Sequence, residues 1–343
     1  MAEPFEIITP LPGAHFGALA QLRKGGAAQA VVAAAEAAPE VLPSALARAN
    51  GLLLLRGLAA MAGDASLLVR LSRIFGPEVE DYRRTLTSRN QVHETVPEIF
   101  IVSNVPPVNR APPPRPEPPL TSEGRLPVQY PHRVGWHTDQ SYRRPPPDIS
   151  LFLAVAPVSR DQGQTIFASG TLAYAALPES LRRRVDGLEG LHAQPGSGRS
   201  RRDARAGTPR RSYAAHERSQ RQPVVRTHPV TGAPALYLCE GGQMDWYDGP
   251  FVGMEAGPNG EGAALLDELM AHLTRPEFCY VHEWDEGDLL VWDNRCLVHT
   301  ATWFDAAAQQ RVMWRTTVHG NPGPLYAGEK KSWIPELADN STD

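Results

Sequence analysis

Short apolar runs separated by turn residues recur along the chain, and they predict β-strands. The runs NGLLLLRGL (50–58) and DISLFLAVAPV (148–158) have the length of strands and are bounded by Asn, Gly, Pro or Asp. Further runs of the same character occupy 98–105, 234–238, 278–284, 288–294 and 311–320. Strands are therefore expected to dominate the region from residue 98 to residue 320.

Helical patterns precede this region and are inserted within it. An alanine-rich stretch over 17–49 and the segment ASLLVRLSRIFG (65–76) predict an N-terminal helical part, 1–80. The segments 171–191 and 261–273 predict helices between strands. This order favours one mainly β domain over residues 1–343, a sandwich or jelly roll with flanking helices, over alternating βαβ units.

Two segments lack the pattern of either a helix or a central strand. The proline-rich stretch 106–119, PPVNRAPPPRPEPP, predicts an extended loop because proline has no backbone N–H to donate. The insertion 195–223 carries eight arginines and almost no apolar residues. It is interpreted either as a mobile cationic lid over an anionic or carrier-bound substrate or as a solvated surface loop.

The net charge and the cysteine content indicate which partners and which compartment to expect for the chain. A formal net charge of −4 gives no overall attraction to nucleic acid or to an anionic membrane. The three cysteines lie far apart and form neither a disulfide framework nor a C-x-x-C metal site, which favours a reducing compartment. No signal-peptide pattern or membrane-spanning apolar run is visible. We expect a cytoplasmic protein with a small-molecule substrate, without nucleic-acid or membrane partners; a homo-oligomer is compatible with the sequence.

The stretch GWHTDQSY (135–142) is a candidate metal site. Residues i and i+2 of a strand point to the same face, so His137 and Asp139 would present an imidazole and a carboxylate side by side. His299 is the favoured third ligand because apolar strand residues lead directly to it. Two histidines and one carboxylate form the facial triad of non-haem Fe(II) enzymes. The alternative is that His137 caps a turn and that His299 is a buried core histidine.

Several motifs occur in an order that identifies a family. The segments WHTDQSY, GQTIFAS (163–169), HPVTGAPALY (228–237), VWDNRCLVH (291–299) and QRVMWRTT (310–317) together resemble the taurine dioxygenase / 2,4-dichlorophenoxyacetate dioxygenase (TauD/TfdA) family. The match runs from about Asn50 to Gly328. The resemblance implies a double-stranded β-helix (jelly roll) and an Fe(II)- and 2-oxoglutarate-dependent oxygenase, with His137, Asp139 and His299 as iron ligands.

The resemblance also implies a binding site for 2-oxoglutarate. Thr165 and Arg311 stand where the family contacts the distal carboxylate of this cosubstrate. Arg311 follows His299 by twelve residues, about one more than is usual in the family, and the segment 305–308 accommodates the extra residue. A guanidinium group suits this role because it offers a carboxylate two parallel charge-assisted hydrogen bonds.

The substrate side is less constrained by the motifs. Arg315, at the position of the family's second arginine, indicates an anionic substrate, because QRVMWRTT contains no carboxylate to pair with it locally. The alternative is that Arg315 belongs to a structural ion pair. Tyr82, Asn104 and Arg133 lie in stretches that wall the substrate side in the family.

The expected function is a dioxygenase that uses Fe(II), 2-oxoglutarate and O2. It would hydroxylate a C–H bond of a small, anionic organic substrate and release succinate and CO2. Two alternatives stay open. The same machinery could hydroxylate or desaturate an amino acid, a peptide or a carrier-bound natural-product intermediate, or the protein could be a non-catalytic 2-oxoglutarate-binding jelly roll.

Overall fold

Two main β-sheets, two small two-stranded sheets and the surrounding helices make up the described part of the fold. The computed structural model describes residues 3–85, 87–112, 114–115 and 135–333. The strands are β1 (Phe5–Ile8), β2 (Ala18–Leu22), β3 (Leu52–Leu55), β4 (Glu78–Val79), β5 (Phe100–Ser103), β6 (Ile149–Ala156), β7 (Thr165–Ser169), β8 (Glu189–His192), β9 (Gln220–Pro223), β10 (Val225–Thr227), β11 (Pro234–Leu236), β12 (Cys279–His282), β13 (Leu289–Asp293), β14 (Leu297–Ala301) and β15 (Val312–His319). The α-helices are α1 (Ala28–Ala37), α2 (Val41–Arg48), α3 (Ser66–Ser72), α4 (Gly170–Ala175), α5 (Glu179–Val185), α6 (Arg201–Arg205) and α7 (Glu261–Leu273).

The larger sheet has eight strands in the order β1-β2-β3-β13-β6-β15-β4, and β5 also pairs with β15. All of its pairings are antiparallel except β2 with β3, which is parallel. The smaller sheet has the order β12-β7-β14 and is antiparallel. Two further two-stranded sheets, β8-β9 and β10-β11, lie outside these two.

Both faces of the larger sheet are buried, which explains its continuous apolar runs. Along β13, Leu289 and Val291 belong to a core shared with α1, α2 and α3. The alternate residues Leu290 and Trp292 belong to a second core shared with Phe167 of the smaller sheet. Because successive side chains point to opposite faces, a strand with both faces covered has no polar positions to alternate. The remaining core joins the smaller sheet to α4, α5 and α7.

Most predicted elements are observed, but the N-terminal part is not purely helical. The strands predicted over 50–58, 98–105 and 148–158 are confirmed as β3, β5 and β6. The helix expected from residue 17 is wrong at its start, because Ala18–Leu22 forms β2. This strand pairs with β1 and β3, and such tertiary pairing outweighs the modest helix preference of alanine.

The arginine-rich insertion is held against the body of the protein. It contains α6 and β9, and β9 pairs with β8. Five of its arginines form ion pairs: Arg199 with Asp245, Arg201 with Asp267, Arg210 with Asp248, Arg211 with Glu217 and Arg221 with Glu189. No single helix among the described residues has the length and apolar character of a membrane span, although α1 and α2 meet both criteria as a bent pair.

Candidate metal centre and adjoining cavity

The three predicted metal ligands come together at the edge of the smaller sheet. His299 lies on β14, and His137 pairs with it by two backbone hydrogen bonds, His137 N–H to His299 C=O and the reverse, at 3.0 and 2.7 Å between N and O. This pairing brings the H-x-D segment beside β14. One ligand atom from each of His137, Asp139 and His299 lies within 4.8 Å of the other two.

Hydrogen bonds orient two of the three candidate ligands, His137 and Asp139. The Nδ1 of His137 lies 3.1 Å from the Gly135 carbonyl oxygen, so the ring donates there and its Nε2 faces the site. The Oδ2 of Asp139 accepts from the Ser150 hydroxyl at 2.7 Å, and the Asp139 backbone N–H donates to Asn294 Oδ1. Such contacts around a ligand set its orientation and its basicity.

The geometry and the protonation states suit a divalent cation. Both Nε2 atoms, of His137 and of His299, lie 3.9 Å from Asp139 Oδ1. Two ligands that each lie about 2.0–2.2 Å from one ion are at most about 4.4 Å apart, so these separations are compatible with shared binding. Burial and the adjacent His137 lower the pKa of His299 to about 3, and burial also lowers the pKa of His137. Both imidazoles are therefore neutral near pH 7, the form that binds metal.

Arg315 already has a carboxylate partner, contrary to what its own segment suggests. Its Nη1 donates to Asp139 Oδ1 at 2.8 Å, and its guanidinium lies 4.9 Å from the ring centre of Phe100. The ion pair supports the alternative in which Arg315 has a structural partner, and that partner comes from another part of the chain. Burial alone would raise the pKa of Asp139, but Arg315 and the two histidines outweigh it and lower that pKa to about 2.

Arg311, by contrast, is a buried cation without a carboxylate. Among the described residues no acidic side chain lies within ion-pair distance of the Arg311 guanidinium, which donates from Nη2 to the Gly163 carbonyl oxygen at 3.4 Å. Burial, and then repulsion by Arg110, lower the pKa of Arg311 to about 10. A buried guanidinium group is costly without an anion, so Arg311 is suited to bind a carboxylate.

Thr165 faces the same cavity as Arg311. Its hydroxyl oxygen accepts from the indole N–H of Trp284 at 3.1 Å, which leaves the hydroxyl hydrogen able to donate elsewhere. The two residues predicted for the distal carboxylate of 2-oxoglutarate thus line one cavity together with His137 and His299.

The residues predicted for the substrate side have different surroundings. Asn104 lines the cavity, but its amide binds backbone: Nδ2 donates to the Gln309 carbonyl and Oδ1 accepts from the Arg311 N–H. It braces the segment before β15. The structure does not bring Tyr82 to the cavity, since its hydroxyl is buried against Thr317 Oγ1 at 2.6 Å. Arg133 lies outside the described residues.

The cavity has about 140 Å³ of internal space and one cation that the motifs did not indicate. Arg110, Ala111 and Pro112 of the proline-rich loop form part of its wall. The only signal in the sequence was an arginine among prolines, and surface loops commonly contain such residues. Arg110 lies beside the candidate centre because the loop that carries it folds back over the cavity.

Comparisons with known proteins show the family to which this chain is similar. A family model described as "Taurine catabolism dioxygenase TauD, TfdA family" matches residues 9–317. The alpha-ketoglutarate-dependent 2,4-dichlorophenoxyacetate dioxygenase of Cupriavidus pinatubonensis is 33% identical over 187 residues, 53% of this chain and 59% of the relative. The (S)-phenoxypropionate/alpha-ketoglutarate-dioxygenase of Sphingobium herbicidovorans is 32% identical over 192 residues, 55% of this chain and 63% of the relative. These matches span about three fifths of each relative's length.

A solved structure extends the similarity over nearly the whole fold. The crystal structure of a taurine dioxygenase from Burkholderia xenovorans superposes with a TM-score of 0.60 and 25% sequence identity. The superposition covers 93% of this chain and 92% of that one. The similarity therefore includes the sheets and the helices that position the candidate centre.

Proposed function

The chain belongs to the taurine catabolism dioxygenase TauD, TfdA family, and we propose that it is an Fe(II)- and 2-oxoglutarate-dependent dioxygenase. It hydroxylates a C–H bond of a small anionic molecule and releases succinate and CO2. One observation carries this proposal: a site with two histidines and one carboxylate opens into the same cavity as Arg311, a buried arginine without a carboxylate among the described residues.

His137, Asp139 and His299 would hold the iron, because they supply two neutral imidazoles and one carboxylate within a common reach. Three protein ligands leave positions on such an ion for a cosubstrate and O2, and the bound iron supplies the oxidising chemistry. The protein's own part is to orient these side chains. Ser150 and Asn294 hold the Asp139 segment in place for this purpose.

Arg311 and Thr165 would bind the distal carboxylate of 2-oxoglutarate. The guanidinium group offers two parallel donors, and the hydroxyl adds a third from the opposite sheet. Asn104 contributes indirectly, since it accepts a hydrogen bond from the Arg311 backbone N–H and so fixes the position of the Arg311 main chain. Phe152 and Phe304 flank Arg311, each with its ring centre 5.9 Å from the guanidinium carbon, and shield this end of the cavity from water.

The two sheets would form the double-stranded β-helix of a single dioxygenase domain. This assignment is supported by the shared core between β13 and β7 and by the position of the ligands on β14 and the segment beside it. The substrate class is supported by the named relatives, which act on a phenoxyacetate and a phenoxypropionate, both carboxylic acids. A small anionic substrate is therefore the first choice for this chain.

Anaerobic titration tests the proposal most directly. Addition of Fe(II) and 2-oxoglutarate to the purified protein should produce a weak visible charge-transfer band, and admission of O2 with 2,4-dichlorophenoxyacetate should release succinate. His299→Ala should abolish both the band and tight iron binding, whereas His15→Ala, at an exposed position, should change neither. A band without succinate from any small anion would favour the non-catalytic 2-oxoglutarate-binding alternative.

A further inference from the structure

Arg110 occupies a defined place at the mouth of the cavity. It follows β5 in a loop whose backbone is hydrogen bonded: the Arg110 N–H donates to the Ser103 carbonyl at 2.8 Å, and the Asn109 N–H donates to Val105 at 3.0 Å. Its side chain is accessible to solvent and lines the cavity beside Ala111 and Pro112. The loop therefore presents a guanidinium group at the entrance to the candidate centre.

Among the described residues, three arginine side chains line this cavity, and they differ in which anion neutralises each of them. Arg315 is paired with Asp139 at 2.8 Å. Arg311 is accounted for by the distal carboxylate of 2-oxoglutarate in the proposed function. Arg110 has no carboxylate within ion-pair distance in the part of the chain that the structure describes. It is the cation of this set that remains available to a second anion.

Arg110 lies close enough to the other two arginines for their charges to interact. Partial removal of its hydration by the surrounding protein, followed by repulsion from Arg315, lowers the pKa of Arg110. Arg110 in turn lowers the pKa of Arg311 and contributes to lowering that of His137. These like charges face a common space, so an anion bound there would relieve the repulsion.

We propose that Arg110 binds the anionic group of the substrate and is the main determinant of specificity for anions at this site. The proposal rests on the proposed function and identifies the recognising residue. A carboxylate, sulfonate or sulfate ester at the mouth would pair with Arg110. Its attached carbon chain would extend past Val102 and Pro112 toward His137 and His299. Arg315 would act on the substrate only indirectly, by holding Asp139.

Matched ligands test this assignment by affinity rather than by turnover. Protein loaded with Mn(II) and 2-oxoglutarate is titrated calorimetrically with phenoxyacetate, hexanesulfonate and hexyl sulfate, and with the neutral phenoxyacetamide. Arg110→Gln should weaken the anion that wild type binds best by about 10- to 100-fold, the effect of losing one charge-assisted hydrogen bond. Arg110→Lys should restore part of that affinity. The affinity for phenoxyacetamide should change less than twofold.

Arg115→Gln is the matched control, because Arg115 lies in the same loop but stacks over Trp303, 5.7 Å from its ring centre, and does not line the cavity. It should alter anion affinity less than twofold. Unchanged anion binding in Arg110→Gln would overturn the proposal, as would loss of 2-oxoglutarate affinity in place of probe affinity. Wild-type protein that prefers none of the three anions to the neutral amide would also overturn it. Consumption of 2-oxoglutarate by the same preparation would show that the proposed function stands independently.

Discussion

Asp139 contacts more of the site's functional groups than its position in a short motif suggests. One carboxylate oxygen faces His137, His299 and Arg315, and the other accepts from Ser150. Iron would compete with Arg315 for the same oxygen, or share it through a second lone pair. Arg315 therefore influences the orientation and charge of a candidate metal ligand. We expect any effect of Arg315 on the substrate to be indirect, by way of Asp139.

Changing Arg315 to Gln should consequently weaken Fe(II) binding. Loss of a residue that orients a metal ligand typically lowers metal affinity by about 10- to 100-fold. Equilibrium dialysis of Fe(II) under anaerobic conditions measures this change, and Arg315→Lys should recover part of the affinity. An unchanged Fe(II) affinity combined with a large rise in substrate KM would instead assign Arg315 to the substrate.

Changing Arg311 to Lys should weaken the binding of 2-oxoglutarate and leave the affinity for Fe(II) nearly unchanged. Lysine keeps the charge but lacks the planar pair of donors. Loss of one charge-assisted hydrogen bond costs about 1.5–3 kcal/mol, so the KM for 2-oxoglutarate should rise about 10- to 100-fold. Steady-state succinate assays at varied 2-oxoglutarate measure it. If that KM does not change, the extra residue before Arg311 has shifted the role to another side chain.

The residues of the candidate centre were predictable to different degrees. The pair His137 and Asp139 could be predicted from its short H-x-D spacing, although the structure has an isolated bridge at His137 and a turn at Asp139 in place of the expected strand. The pairing of Arg315 with Asp139 does not follow, since it requires the larger sheet and the H-x-D segment to be placed together. Arg110 was missed for the same reason. Contacts between distant segments depend on topology, which local patterns do not encode.

At the level of elements, strands buried on both faces were the easiest to predict. β3, β6 and β13 are mostly apolar, and because both of their faces are buried they lack the regular alternation of polar and apolar residues. β2 was mistaken for helix because alanine and leucine favour helices when considered alone. Its strand character comes from the two neighbours with which it pairs.

A buried ion pair joins three elements behind the centre. Glu80, just after β4, binds Arg143, which follows the H-x-D segment, and lies 3.8 Å from Nε2 of His319 at the end of β15. Burial alone would raise the pKa of Glu80, but His319 and Arg143 outweigh it and lower that pKa to about 2. A lowered carboxylate pKa stabilises the fold above the unfolded value of 4.5, and this contribution is lost as the pH falls through about 2.

Changing Glu80 to Gln should therefore reduce the free energy of unfolding at pH 7 by on the order of 3 kcal/mol, because Arg143 would be left buried without its anion. Urea unfolding from pH 7 down to pH 3 should show the difference from wild type shrinking below about pH 4.5. The same comparison in a His319→Asn background removes the contact between His319 and Glu80. The double variant Glu80→Gln, Arg143→Met should lose less than Glu80→Gln alone; an equal or larger loss would contradict the ion-pair account.

At the scale of the whole molecule, the structure distinguishes between two segments that could cover the site. The arginine-rich insertion 195–223 contributes no described residue to the cavity lining, and four of its arginines are bound to carboxylates elsewhere on the protein. The proline-rich loop does line the cavity, through residues 110–112. The interpretation of the insertion as a surface segment is therefore favoured over that of a lid.

Hydrogen–deuterium exchange in solution should show which of these two segments responds to ligand binding. Addition of Mn(II), 2-oxoglutarate and phenoxyacetate should slow exchange at the amides of 103–105 and 108–111, because a bound anion at Arg110 would reduce local opening of the loop. Exchange over 195–223 should not change, since its ion pairs lie away from the cavity. The Arg110→Gln variant serves as the control and should lose the protection at 103–111 while its β14 amides stay protected. Ligand-dependent protection of 195–223 would show instead that the insertion closes over the site, and its unpaired arginines would then become candidates for contacting the substrate.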